Sequence, residues 1–168
     1  MADLLRRIST EKRLLDSLSE YVILIGVVQK DTTRKKVVAS VGLTNAELMF
    51  IHENGSPIRH IPARPVLEMT IKYAADEMFD EVINTCVEGI LEGWTQSEVE
   101  RELKKMCMRM ETYARKIIYD NDGRLAPNAP AVAAKKKGNH PLFDTGQLAR
   151  SITCELSKVN SGNTKDGK

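Results

Sequence analysis

Asp144-Thr145-Gly146, directly after Leu142-Phe143, is the segment of this sequence closest in form to a catalytic loop. An Asp-Thr-Gly loop can supply one of two carboxylates that share a proton and activate a water, which is the chemistry of aspartic hydrolases. Such loops lie between strands early in nearly all-β domains. Asp144 instead follows a helical region close to the end of the chain. The same residues have a plainer use: Asp144 with Gln147 three positions on forms a turn cap, with Thr145 beside it.

Other chemistry lacks partners. His52, His60 and His140 are the only histidines, and none is spaced i, i+4 from another as a helical zinc pair requires. His52-Glu53 has no second His for a zincin motif. Neither a glycine-rich phosphate loop nor a nucleophile elbow is present, so the sequence implies no cofactor, no metal and no enzyme. Cys86, Cys107 and Cys154 lack CxxC spacing and read as reduced, buried thiols. Lys135-Lys136-Lys137, with Arg124 and Arg150 nearby, is the main basic feature. A short charge run is usually solvated; its functional alternative is an arm facing DNA phosphate in a channel, or an acidic partner. Met106 and Met110 share a helix face with Leu103 and belong to the core, whereas Met108 points elsewhere and is an interface candidate.

The elements that must position these residues follow from periodicity. Leu4, Leu5, Ile8, Leu14, Leu15 and Leu18 have helical spacing, giving an N-terminal helix over 1–20. The continuous run Tyr21–Val28 suits a strand covered on both faces, with a returning strand at Lys36–Val41. Thr44-Asn45 starts a short helix that ends near Asn54-Gly55. Pro57, Pro62 and Pro65 exclude regular structure from Ser56 to Pro65, and Pro65 suits the first position of the next helix. Leu67, Ile71, Ala74, Met78, Val82, Cys86 and Ile90 then form one stripe, ended by Gly93. Thr95-Gln96-Ser97-Glu98 is a capping box. It opens a second long helix with Val99, Leu103, Met106, Met110, Tyr113 and Ile117 as its stripe. The short link makes the two helices antiparallel neighbours. Residues 124–141 read as an exposed arm with one helical turn at Ala131–Ala134, and Ser151–Leu156 as a final strand.

Composition bounds the whole. The chain has 168 residues, enough for one domain, placed at 1–158 with a disordered tail at 159–168. Aromatics are only 5%, so the core rests on aliphatic residues and Met. A net charge of +2 argues against a DNA-coating protein. No stretch is long and apolar enough to span a membrane. Met1-Ala2-Asp3 leads into charged sequence, so no signal peptide is expected. The expected fold is α+β: a small, mostly antiparallel sheet packed against two long antiparallel helices, with an N-terminal helix and extended loops.

Two separated segments carry a resemblance. One is Met49–Gly55 followed by Ile61-Pro62-Ala63-Arg64-Pro65; the other runs from Gly138-Asn139-His140-Pro141 through Leu142-Phe143-Asp144-Thr145-Gly146-Gln147-Leu148 to Ile152. Together they resemble the phage tail-completion and head–tail joining (neck) proteins, including the minor tail protein Z-like and "virion morphogenesis" groups. Asn54 stands where that family commonly has an aromatic, and Val66 where it commonly has Phe. The resemblance implies a structural virion component, assembled in the host cytoplasm as a homo-oligomer, by analogy a hexameric ring, that meets other neck and tail proteins. A tail terminator or head-completion stopper is the rival within that class. A DNA-binding regulator or an aspartic hydrolase is the rival outside it. Interface candidates are Pro62, Arg64, Pro65, Met108, Lys135, Lys136 and Lys137. Arg64 has two open roles: pairing with a carboxylate across a subunit boundary, or bonding loop carbonyls within its own subunit.

Overall fold

A computed structural model of the chain describes residues 2–27, 43–136 and 139–159. The expected strand at Lys36–Val41, Lys137 and the tail beyond Val159 lie outside the described residues. The fold is α+β. Helix α1 (Ala2–Leu18) leads into strand β1 (Tyr21–Val27), which pairs antiparallel with the last strand, β2 (Ile152–Lys158). The register runs from Tyr21 opposite Lys158 to Val27 opposite Ile152.

The side chains of this ladder alternate. Tyr21, Ile23, Ile25 and Val27 of β1 face the core with Ile152, Cys154 and Leu156 of β2. Leu24, on the other face, is 54% exposed. The expectation of a strand covered on both faces is therefore corrected: β1 pairs with one strand among the described residues, and no residue of β1 is fully buried. Its unbroken apolar run reflects β propensity as much as burial.

The long helix α5 (Gln96–Asp120) packs on this sheet and organises the core. Val99, Leu103, Met106, Met110 and Ile117 are buried as their spacing indicates, and Cys107, Ala114 and Ile118 widen the stripe. A wide stripe fits a helix with the sheet on one flank and other helices on the next. The capping box at Thr95 is present in full. So is one at Thr44, which opens α2 (Asn45–Asn54).

The single long helix expected from Pro65 to Gly93 is two helices, α3 (Val66–Glu77) and α4 (Phe79–Glu92), parted at Met78. Val66, Thr70 and Ala74 face inward on α3, and Ile71 is 54% exposed. A stripe through Ile71 is thus corrected; the break re-aims the helix, and Val82, Cys86 and Ile90 resume the buried row on α4. The chain turns at Gly93, and Trp94 lies flat on Gly89, where any Cβ would enter the indole ring.

The arm at 124–141 is not exposed throughout. Leu125 and Pro141 are buried, the Asn128 amide donates to Asn139 Oδ1 (3.3 Å), and His140 Nε2 donates to the Ile118 carbonyl (2.7 Å). Its middle, the short helix α6 (Pro130–Lys135), is largely exposed, as expected. Helix α7 (Gln147–Arg150) then leads into β2. No helix among the described residues is long and apolar enough to cross a membrane.

Candidate functional site, a cleft built from two distant segments

The two segments singled out in the sequence meet at one cleft of about 410 Å3. One wall is the proline loop, with Arg59, His60, Ile61, Pro62 and Arg64; the other comes from the arm and the turn before α7, with Asn128, Val132, Lys136, Leu142 and Asp144.

The proline loop is held from behind by α2. Gly55 ends that helix at φ 72°, and a Cβ there would stand 2.8 Å from the Ala63 nitrogen. Only glycine allows this close pass. Ser56 and Ile61 exchange two backbone hydrogen bonds (2.8 and 2.9 Å) around a 3-10 turn at Pro57–Arg59. His52 and Glu53, adjacent on α2, then do separate work. The His52 carbonyl accepts the Arg64 amide (2.6 Å). Glu53 accepts the amides of Leu67 (3.1 Å) and Glu68 (2.7 Å), capping α3 from a distance. α3 needs this because Pro65, at its N-cap, offers no side-chain cap.

Arg64 closes the structure. It is 4% exposed; Nε donates to the Ala126 carbonyl (2.7 Å), Nη2 to the Pro127 carbonyl (2.7 Å) and Nη1 to His52 Nδ1 (3.1 Å). Since a guanidinium can only donate, His52 Nδ1 accepts, which places the ring proton of neutral His52 on Nε2. Burial pushes the Arg64 pKa down, but from so high a value that the group stays cationic. Of its two open roles, Arg64 takes the internal one. Its planar fork ties the proline loop to the start of the arm.

The second segment is held as firmly. Arg115 of α5 donates to the carbonyls of Ala149 (3.3 Å) and Ile152 (3.0 Å) and pairs with Glu111. Arg150 Nη2 donates to the Thr145 carbonyl (2.9 Å), and Gly146 at φ 73° makes room for that guanidinium. The expected side-chain cap by Asp144 is corrected: the N-cap of α7 is Gly146, without a side-chain cap bond, and Asp144 and Thr145 are exposed. Gln147 is the first residue of α7. The left-handed backbone at Gly146 re-aims the chain, so Arg150, not Asp144, ties the turn.

Pro62 is exposed at the mouth and Pro65 half-buried behind it. The Lys136 ammonium donates to the Phe143 carbonyl (3.0 Å), so it closes the arm onto the body, while Lys135 is exposed. Met108 is elsewhere, 63% exposed on α5. Sequence spacing does not announce the bracing roles of Arg115 and Glu53, because each reaches backbone groups distant along the chain.

The cleft offers Arg59 and His60 at its mouth and the amide of Asn128, whose Nδ2 is buried and unpaired among the described residues. These donors suit carbonyl or carboxylate oxygens of an entering segment. Among the described residues Asp144 is the only acid lining it, so they form no carboxylate pair there. No group of three or more His, Cys, Asp or Glu among the described residues could hold a metal ion. No protein-family model matches the chain, and no curated protein or solved structure matches it.

Proposed function

We propose that the chain is a structural, non-enzymatic subunit of a tailed-phage virion. It forms a ring at the neck or the head-proximal end of the tail, where it joins or completes tail and head. The observation that carries this reading is the convergence of the two family-like segments on one cleft, with Arg64 tying the first of them, through Ala126 and Pro127, to the start of the arm that leads into the second. Side chains in and around both segments act on backbone groups: Glu53, Arg64, Arg115 and Arg150 fix loops and helix ends. A stiffened surface of this kind loses little conformational freedom when a neighbour docks, which suits an assembly joint. Rings arise when head-to-tail contacts close.

The test is made in the particle. Averaged images of intact virions with a label on this chain place it at the neck or tail end, in a ring. Particles lacking it accumulate separate heads and tails. Complete, infectious particles in its absence would overturn the reading. An Asp144→Asn chain that assembles as before, beside a wild-type chain that cleaves no peptide, separates this reading from a hydrolase.

A further inference from the structure

Two helical faces of this chain carry opposite charge. Between Val66 and Glu92, the stretch of α3 and α4, the exposed acids are Glu68, Asp76, Glu77, Asp80, Glu81, Glu88 and Glu92, against a single exposed base, Lys72. Asp80, Asn84, Glu88 and Leu91 follow one another on successive turns of α4, all exposed. Leu91, 54% exposed, puts an apolar side chain within this acidic row.

On α5, every exposed charged residue from Arg101 to Lys116 is a cation: Arg101, Lys104, Lys105, Arg109 and Lys116. This face borders an apolar groove of about 580 Å3 walled by Tyr73, Met78, Met108 and Tyr113. Tyr73 and Tyr113 stack at 3.8 Å between ring centroids, giving the groove a rigid floor. Lys105, Arg109 and Lys116 rim it. Within the chain Lys105 pairs with the half-buried Glu102 (2.5 Å), while Arg109 meets the exposed Glu81 at 3.2 Å and Lys116 the exposed Asp120 at 3.9 Å. Such surface pairs hold little free energy and exchange readily for others.

We infer that the acidic outer face of α4 in one copy docks on the basic, Met108-lined groove of α5 in a second copy. The occupant is a second copy because this chain itself bears the complement: an acidic helix face with an apolar residue, opposite a cationic groove with an apolar floor. Complementary potentials of this kind steer encounter and fix register, and the apolar contact at Met108 excludes water. The contact goes beyond the proposed virion role, resting on it only for the number of copies that close the assembly.

The experiment uses the full chain, with mass read by light scattering at low and high salt. Wild type forms assemblies of more than one chain that dissociate as salt rises. The α4 variant Asp80→Lys/Glu88→Lys and the α5 variant Lys105→Glu/Lys116→Glu each fall to the mass of one chain, with unchanged circular dichroism. Mixing the two restores assembly, since one is then basic on both faces and the other acidic on both. A wild-type chain that is monomeric at low salt overturns the contact. So does a pair of folded reversal variants that assemble as wild type, or a mixture that stays monomeric. Assemblies indifferent to all four substitutions leave the ring reading standing while removing this contact. If the α5 variant instead loses binding to duplex DNA and keeps its assembly, the groove serves nucleic acid and the inference is wrong.

Discussion

The Arg64 guanidinium stands 3.1 Å from Nδ1 of His52, and its other two donors reach carbonyls of the arm, Ala126 and Pro127. Replacing Arg64 by Ala takes the donor away from three part-buried acceptors. Hydrogen bonds to a charged group contribute about 1.5–3 kcal/mol each when buried and less where water reaches the acceptor, so Arg64→Ala is expected to lower stability by roughly 2–3 kcal/mol. Arg64→Lys keeps the charge but loses the planar fork, and falls between the two. Urea unfolding midpoints check the order. Limited proteolysis adds a local readout, since the arm after Gly123 is cut faster once its tether is gone. A midpoint for Arg64→Ala equal to that of wild type would remove Arg64 from this role.

Gly55 carries a second, independent constraint on the same loop. Its φ of 72° is unfavourable for a residue with a Cβ, and the added atom would press on the Ala63 backbone at 2.8 Å. Backbone cannot give way as a flexible side chain can. Gly55→Ala is expected to lose about 2 kcal/mol or more, from the conformational cost and the overlap together. Gly123→Ala is the control: it also has a positive φ (90°), but a Cβ there meets nothing within 4 Å. It is expected to lose about 1 kcal/mol, the conformational part alone. Equal losses in the two variants would show that the close approach at Ala63 contributes nothing.

These two residues show what could be read in advance. Gly55 was legible as a helix end, because Asn-Gly after a helical period is a local signal. The Thr95 capping box, the helix start at Thr44 and the α5 stripe are legible for the same reason: each is written within a few turns of its own helix. The role of Arg64 was not, since its partners Ala126 and Pro127 present only carbonyls, which every residue has. The break at Met78 left no Pro or Gly to announce it, and an apolar stripe counted straight through 71 and 78 cannot register the re-aiming of a helix. Asp144 looked like a cap by spacing, but Gly146 at φ 73° turns the chain away from it.

The capping boxes give a prediction about acid. Glu98 accepts the Thr95 amide (2.7 Å) and hydroxyl (2.8 Å), and Glu47 accepts the Thr44 amide (2.8 Å) and hydroxyl (2.8 Å). The backbone hydrogen bonds, and then the hydroxyls, hold both carboxyls below their ordinary range. A carboxyl depressed in the folded state binds fewer protons there than in the unfolded chain. Its contribution is complete above the unfolded pKa and is lost as pH falls through the lower, folded one. Glu47→Gln/Glu98→Gln is therefore expected to lower stability at neutral pH and to flatten the decline below about pH 5. The slope lessens without vanishing, because Glu100, bonded by Gln96 and Tyr21, and Asp122, bonded by Arg124, are held low as well. Denaturant midpoints measured along a pH series check this; an acid limb as steep as that of wild type would contradict it.

The last prediction concerns thiols that sequence spacing keeps apart. Cys107 of α5 and Cys154 of β2 are hydrogen-bonded to each other, and the Cys154 amide donates to Glu111, one turn further along α5 (3.3 Å). The bond from Cys154 lowers the pKa of Cys107, outweighing the opposing effect of burial. The same bond, with burial, raises Cys154, whose proton is needed to keep it. Cys86, on the buried side of α4, is raised by desolvation. The first thiolate to form on raising pH is therefore expected at Cys107, and the pair titrates as one unit. Ultraviolet thiolate absorbance followed through a pH titration reads this directly. Cys154→Ala should move that first step to higher pH, and Cys86→Ala should leave it in place. If Cys154→Ala leaves the first step unmoved in a folded chain, the two sulfurs do not share a proton.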